Sequence, residues 1–212
     1  MRDFRRVDGG YAAHLDAGER RVLLDVVDGV IDLLDDGTGS PGAAGPRREG
    51  DPSPEQGPGD LFASLAVPDR VEVPQDPALL RLLPDASDDP EIAGELRRFT
   101  EADVRRGKLD RLRAWRAAIQ RAEPSLVVPA ATAADHAAAI TDVRLVLASR
   151  LGVETDEQAD AVYALAAAPG PPGDDEEATR RFLASVYAVL TALQESLVAL
   201  MVGDLDTRTP GG

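Results

Sequence analysis

The sequence has no cysteine in its 212 residues. This excludes disulfides, thiolate metal sites, cysteine nucleophiles and thiol redox switches within the chain. Aromatic residues are also scarce, at 4%, although hydrophobic residues make up 43%. We therefore expect a core built mainly from Leu, Val and Ala, a composition that suits packed helices.

Long apolar segments and positive charge are lacking as well. No run of about 18 apolar residues occurs, and "MRDFRRVDGG" contains no apolar stretch of signal-peptide length. We therefore expect a cytoplasmic protein. Asp and Glu number 38 against 23 Lys and Arg, for a net charge of −15. This excess of acid disfavours unaided binding to DNA or anionic membrane, and it favours basic or mixed-charge protein partners.

The first segment predicts a small β-hairpin. In "FRRVDGGYAAHL" two apolar-containing arms flank residues 8–10, where Asp-Gly-Gly supplies the positive φ angles that a tight turn needs. The stretch "RVEV" at 70–73 alternates like a short strand and is suited to pair with that hairpin.

The rest of the chain predicts a mainly α fold, a helical bundle behind the hairpin. Asp16 and Glu19 form a D-x-x-E capping box before an apolar stripe over 22–34. A short helix begins at Pro77 and stops at Pro84. Thr132 with Asp135 caps a further helix that ends at Gly152, a shorter helix follows it, and the last helix runs from an acidic start at 174–177 to Met201.

The stretch Pro90 to Ala122 is predicted to be one long helix, or two helices joined near Phe99. Asp89 is its expected N-cap, with Pro90 at the first helical position. We expect one inward apolar face that leaves the arginine-rich face outward; its members are Val104, Leu112, Trp115 and Ile119.

Glycine and proline mark a break in the pattern over residues 37–60. Seven Gly and five Pro fill half of these 24 positions, a composition that cannot form a core and predicts a flexible loop. We expect a single α-helical domain over 1–202, interrupted by this loop, and a disordered tail over 203–212.

A basic island lies in this acidic chain, at residues 97–121. It contains nine Lys and Arg and three acids, so it carries +6 and leaves −21 elsewhere. Three interpretations remain open: counter-charge for acidic helices such as 25–36, a docking face for a protein partner, or a nucleic-acid surface. The last is disfavoured because the −21 carried by the rest of the chain would repel phosphate.

No catalytic or metal-binding pattern stands out in the sequence. His14 and His136 do not have the spacing of a zinc helix, so we expect both to be ordinary surface or half-buried residues. The acids at 174–177 suit a helix N-terminus without any metal, and 85–91 lacks the glycine and distal glutamate of a calcium loop. Ser149 and Ser196 have no histidine beside them. We predict no enzyme activity and no cofactor.

Three stretches resemble an uncharacterised-domain family common in actinobacteria: "RLLPDASDDPEIAGELRRFTEADVRRGKLDRL" (81–112), "ITDVRLVLASRLGV" (140–153) and "LTALQESLVALM" (190–201). The opening at 4–34 is similar too. The resemblance covers nearly the whole chain except 37–60 and the tail. Some members of the family are described as AosR-type proteins, oxidative-stress-responsive regulators of transcription.

The resemblance implies a regulator that acts through contacts with the transcription apparatus. Redox sensing in the family is attributed to cysteines, so that mechanism cannot carry over here. An adaptor or scaffold in another process, such as proteolysis, is the alternative, and an unrecognised enzyme is the least favoured one. A homo-oligomer is compatible with the regulator and with the adaptor. The residues singled out for partner binding or structural ion pairs are Arg98, Glu101, Asp103, Arg105, Arg106, Asp142, Arg144, Arg150, Gly152, Gln194 and Glu195. For the α-helical pair at 140–153 and 190–201, the expected structural role is an arginine–carboxylate lock between the two helices.

Overall fold

A computed structural model describes residues 3–36 and 73–208, with side chains through residue 205. The fold is mainly α with an N-terminal hairpin, as predicted. The elements are β1 (Arg5–Val7), β2 (Gly10–His14), α1 (Ala17–Asp36), α2 (Pro77–Leu82), α3 (Pro90–Gln120), β3 (Ser125–Pro129), α4 (Ala133–Leu151), α5 (Asp156–Ala166) and α6 (Asp175–Arg208). The predicted loop over 37–60 lies outside the described residues.

The two strands of the N-terminal hairpin and β3 form an antiparallel sheet in the order β1-β2-β3. Among residues 8–10, which were predicted to supply the positive φ of the turn, Gly9 does so, with a φ of 79°. Gly10 is needed for another reason: a Cβ there would lie 2.2 Å from the carbonyl oxygen of Val128. β2 and β3 can therefore approach only because position 10 has no side chain.

Strand β3 was not predicted. It pairs with β2 in a register that runs from Gly10 opposite Pro129 to His14 opposite Ser125. Leu126 and Val128 point into the core, which gives the alternation expected of a half-buried strand. The strand predicted at 70–73 lies outside the described residues except for Val73, which has no regular structure.

Helix α4 is the centre of the bundle. It packs against α6, α2, α3 and α1, and alanine occupies several of its buried positions. Small side chains let the neighbouring helices approach closely on several sides, which fits the aromatic-poor core that the composition predicts.

Most of the predicted helix ends are confirmed. The backbone N–H of Glu19 donates to Asp16 and that of Asp16 donates to Glu19, which completes the capping box. Asp89 caps α3 through the N–H of Glu91 at 2.9 Å, and Gly152 ends α4 with a left-handed φ of 72°. Thr132 is the exception, because its side chain makes no capping hydrogen bond.

Helix α6 continues to Arg208, so the prediction of a disordered tail from residue 203 is wrong for 203–208. The hairpin contacts this end of the helix. The hydroxyl of Tyr11 donates to Asp204 at 2.6 Å, and Arg6 forms an ion pair with the same carboxylate. Such contacts order the last turns, which the sequence pattern alone did not reveal.

Within Asp175–Leu205 of α6, a window of 18 residues has a mean hydropathy of 1.6, so the helix is long and apolar enough to cross a membrane by length and composition. Of that window 33% is buried inside the fold, and the helix packs along α4 and α5. Leu190, Leu193 and Leu197 belong to the core.

Candidate protein-docking surface

Helix α3 is one continuous helix of 31 residues, so the break considered near Phe99 does not occur. Its C-terminal half carries the apolar face that was predicted. Leu112, Trp115 and Ile119 are fully buried. Val104 does not belong to this face, since its side chain is 44% exposed.

The N-terminal half of α3 presents large apolar side chains to solvent. Ile92, Leu96 and Phe99 are 52%, 38% and 58% exposed. Their spacing of four and three residues places them on one face of the helix. We call these three residues the apolar row.

A cavity runs beside the apolar row. The next row of the helix, Ala93, Arg97, Thr100 and Val104, forms one wall of it. The segment that joins α2 to α3 forms the other wall, with Leu83, Pro84, Asp85 and Ala86. The cavity has a volume of about 180 Å³ and a mainly apolar lining.

The opposite flank of the apolar row is polar. Glu91, Glu95 and Arg98 repeat the same helical spacing there. Arg98 donates to Glu95 at 3.1 Å, and its guanidinium lies 5.4 Å from the centre of the Phe99 ring. The surface therefore consists of a charged flank, an apolar row and a cavity.

A buried ionic network fixes this half of α3. Glu101 accepts from Arg97 at 2.5 Å and from Arg105 at 2.7 Å. Arg105 also donates to the carbonyl oxygen of Leu34, in the last turn of α1, at 2.6 Å. Arg97 reaches across to Asp85 at 2.8 Å. The network satisfies an otherwise unpaired carbonyl at the end of α1 and joins three elements.

Arg97 stays ionised in this network. Burial lowers its pKa, but the hydrogen bonds and charges of Asp85 and Glu101 outweigh burial and raise the pKa above its ordinary value. A buried arginine with two carboxylate partners holds a defined geometry, so the network makes the adjoining surface rigid.

The predicted arginine-rich face is therefore not wholly outward. Arg105 is 5% exposed and belongs to the buried network. Arg98 is half-buried, and Arg106 is exposed and pairs with Asp103 at 2.6 Å. The three candidate arginines of this helix thus have different environments, and only Arg98 borders Phe99.

The geometry favours the counter-charge interpretation for most of the island. Arg113 pairs with Asp35 at 3.1 Å, and Arg116 pairs with Asp28, so both bind the acidic face of α1. Among the described residues, Arg111 and Arg121 have no carboxylate partner. The island cations that do pair with a carboxylate are Arg97, Arg98, Arg105, Arg106, Lys108, Arg113 and Arg116.

The arginine–carboxylate lock predicted between α4 and α6 is not formed. Arg144 donates instead to the amide oxygen of Gln194 at 2.6 Å, and its guanidinium lies 5.1 Å from the centre of the Tyr187 ring. Asp142 is buried and accepts from Lys108 of α3 at 2.5 Å. Glu195 is exposed and has no ion-pair partner among the described residues. Arg144 with Gln194 joins α4 to α6 through an amide rather than a carboxylate, and Asp142 with Lys108 joins α4 to α3.

Arg150 has a structural role as well. It donates to Asp76 at 2.6 Å, and Asp76 also caps α2 through the N–H of Ala78. The hydrogen bond from Arg150 lowers the pKa of Asp76 below its ordinary value, since burial opposes it only in part. Arg150 thus fixes the start of α2 against the end of α4.

The remaining candidates do not assemble into a site. His136 is buried, not half-buried, and its ring lies 5.5 Å from that of Trp115. Ser196 accepts from the backbone N–H of Phe4, which is a structural contact. In residues 3–36 and 73–205, no group of three or more His, Asp or Glu side chains is placed to hold a metal ion.

Sequence reasoning missed the apolar row. The spacing of Ile92, Leu96 and Phe99 was available, but a helical apolar stripe ordinarily predicts a core face. What distinguishes this stripe is that the inward positions beside it hold Arg97, Glu101 and Arg105. These three residues form a second set at helical spacing, which is ionic and offset by one position from the apolar row. That second set was the signal in the sequence that could have revealed the exposed row.

The fold and this surface describe a helical protein with an exposed apolar row on α3. The chain matches the family model described as a domain of unknown function (DUF2017) over residues 1–201, so it belongs to that family. No curated protein and no solved structure matches it.

Proposed function

We propose that this protein is a non-enzymatic regulator that acts by binding another protein in the cytoplasm. The transcription apparatus is the proposed target, because the sequence resembles AosR-type oxidative-stress-responsive regulators. The observation that supports a contact-based role is the exposed apolar row of Ile92, Leu96 and Phe99. Exposed apolar patches with a polar border are typical of protein-binding sites.

The rigidity of the surface supports the same role. Glu101 and Arg105 hold the apolar row in place without any partner. A surface that is already ordered does not pay an ordering cost when it binds. Aromatic side chains contribute strongly to the energetics of interfaces, and Phe99 is the aromatic member of this row.

The regulator we propose does not sense oxidants through thiols. The chain has no cysteine, and its methionines number two, Met1 and Met201. Methionine oxidation at so few positions is a poor substitute for a cysteine switch.

Affinity capture of the full-length protein tests this proposal. We expect tagged wild-type protein to co-purify with an identified component of the transcription apparatus, and Phe99→Ser to lose it. Phe182→Ser is the matched control, because Phe182 is 47% exposed on a different helix and should bind as wild type does. Equal capture by all three proteins would contradict the proposal.

An adaptor or scaffold in another process, such as proteolysis, is the second candidate. The same apolar row would serve it, and the two differ in the identity of the captured protein. A protease subunit that depends on Phe99 in the same experiment would favour the adaptor. We propose no direct tight binding to nucleic acid, given the net charge of −15.

A further inference from the structure

The border of the apolar row is acidic. Five exposed carboxylates surround it, on Asp88, Asp89, Glu91, Glu95 and Asp103. Arg98 and Arg106 are the nearby cations, and they are already paired with Glu95 and Asp103. Asp88, Asp89 and Glu91 form no ion pair with a described residue. The uncompensated charge beside the row is therefore negative.

The cavity beside the row is suited to one apolar side chain. Its volume is about 180 Å³, and an apolar cavity of roughly 150 Å³ is enough to hold a benzene molecule. Asp85 and Glu101 contribute to its wall, but both are committed to Arg97. Pro84, Ala86, Ala93 and Val104 leave an apolar lining between them.

We infer that the partner element recognised here is a basic amphipathic helix. Its apolar side chains would cover Ile92, Leu96 and Phe99, and one apolar side chain of the partner helix would occupy the cavity. Its Lys and Arg residues would face Asp88, Asp89 and Glu91. Charge complementarity selects this partner, because an acidic helix of the same apolar pattern would meet like charge on the border and across a chain of net charge −15. The inference rests on the proposed function, and it adds the chemistry of the partner.

Synthetic peptides test this chemistry with the full-length protein. Three fluorescent peptides of about 18 residues, or five helical turns, serve as probes. One carries Leu at helical spacing with Lys and Arg elsewhere, the second has Glu in place of the basic residues, and the third is a scrambled isomer of the first. We expect the first to bind most tightly, with an affinity that falls as salt is added.

Variants of the surface must weaken that binding selectively. We expect Phe99→Ser to weaken the basic amphipathic peptide by about tenfold or more, and Glu91→Lys with Glu95→Lys to weaken it by about tenfold at low salt. Ile92→Ser is a second apolar variant in case Phe99→Ser fails to fold. The controls Phe182→Ser and Asp156→Lys with Asp160→Lys change exposed residues on other helices and should bind within about twofold of wild type.

Several outcomes overturn the inference. Equal binding of the scrambled peptide, or equal losses in the control variants, would mean general attraction to an acidic protein. Preference for the acidic peptide would reverse the assigned charge. Sedimentation that shows a dimer dissociated by Phe99→Ser would make a second copy of this chain the occupant. Loss of the native partner in Phe99→Ser without preference for the basic peptide would leave the proposed function standing and refute this inference alone.

Discussion

In the C-terminal half of α3, the side chains that face the bundle are Leu112, Trp115 and Ile119, whereas in the N-terminal half they include Arg97 and Arg105. The large apolar residues are accordingly buried in the C-terminal half, whereas in the N-terminal half Ile92, Leu96 and Phe99 are exposed. One continuous helix thus buries apolar side chains in its C-terminal half and charged side chains in its N-terminal half.

The two halves therefore contribute differently to the fold. Burial of apolar area stabilises the fold, so the C-terminal half contributes to the core. A buried ionic network is weak evidence for stability, since burial of its charges costs free energy that ion pairing offsets only in part. Arg97, Glu101 and Arg105 instead fix the position of the helix. In that position the apolar row faces outward.

Trp115→Ala should produce the largest change, in the C-terminal half. Trp115 is fully buried, so the substitution removes its burial and leaves a cavity. We expect a loss of about 3–5 kcal/mol in the free energy of unfolding, measured by chemical denaturation followed by circular dichroism. Phe99→Ala in the N-terminal half is the matched aromatic control and should cost under about 0.5 kcal/mol. Similar losses at the two positions would remove the distinction between the halves.

Arg105→Met should have the next largest effect. The change leaves Glu101 with one of its two arginine partners and frees the carbonyl oxygen of Leu34. Removing one partner from a buried ionic network costs about 3 kcal/mol. Its neighbour Arg106 is exposed, so Arg106→Met should cost under about 0.5 kcal/mol. Chemical denaturation of the two variants measures their free energies of unfolding. Equal losses would mean that the network does not stabilise the fold.

Acid should destabilise the fold through His136, which lies on α4 with its ring 5.5 Å from that of Trp115 in the C-terminal half of α3. Burial lowers the pKa of His136 in the folded protein, and the charge of Arg121 adds to this effect while Asp135 opposes it. Its place in the first turn of α4 also disfavours a positive charge. As the pH falls below about 6.5, the unfolded chain takes up a proton that the folded protein resists, so stability is present above this pH and is lost below it.

The free energy of unfolding should therefore fall between roughly pH 7 and pH 5.5, by no more than about 1.4 kcal/mol per pH unit for one proton. His14→Gln provides a background in which His136 is the sole histidine. Adding His136→Phe to that background should flatten the profile. A slope that survives this second change would assign the pH dependence to other groups.

Helices and their ends were predictable because local rules determine them. Asp89 followed by Pro90 favours a helix start, and Gly152 favours a helix end, whatever the rest of the chain does. Trp115 was correctly expected in the core because the apolar residues around it share its face. Strand β3 was not predictable in the same way, because a five-residue strand depends on its partner β2 and on the missing side chain at Gly10.

The candidate surface was less predictable than the fold. Arg98 and Arg106 were expected to face solvent with Arg105, but the fold buries Arg105 against the carbonyl end of α1, 71 residues earlier in the chain. Such a long-range hydrogen bond has no local pattern. The same reason explains why Arg144 binds an amide and not the predicted carboxylate. The side chain of α6 that lies opposite Arg144 is determined by how the helices pack.

Substitution of the apolar row should have the smallest effect on stability. Ile92→Ser and Phe99→Ser remove side chains that are more than half exposed, so the unfolding free energy should change by under about 0.5 kcal/mol for each. Leu109→Ser, on the same helix and buried at 6% exposure, should instead cost several kcal/mol, about 2–5. Thermal and chemical denaturation of the three variants makes the comparison. If Ile92→Ser and Phe99→Ser are as damaging as Leu109→Ser, the apolar row is part of the core in solution and is not available to a partner. If they are neutral and also abolish partner capture, the N-terminal half of α3 has a role in binding that the stability of the fold does not require.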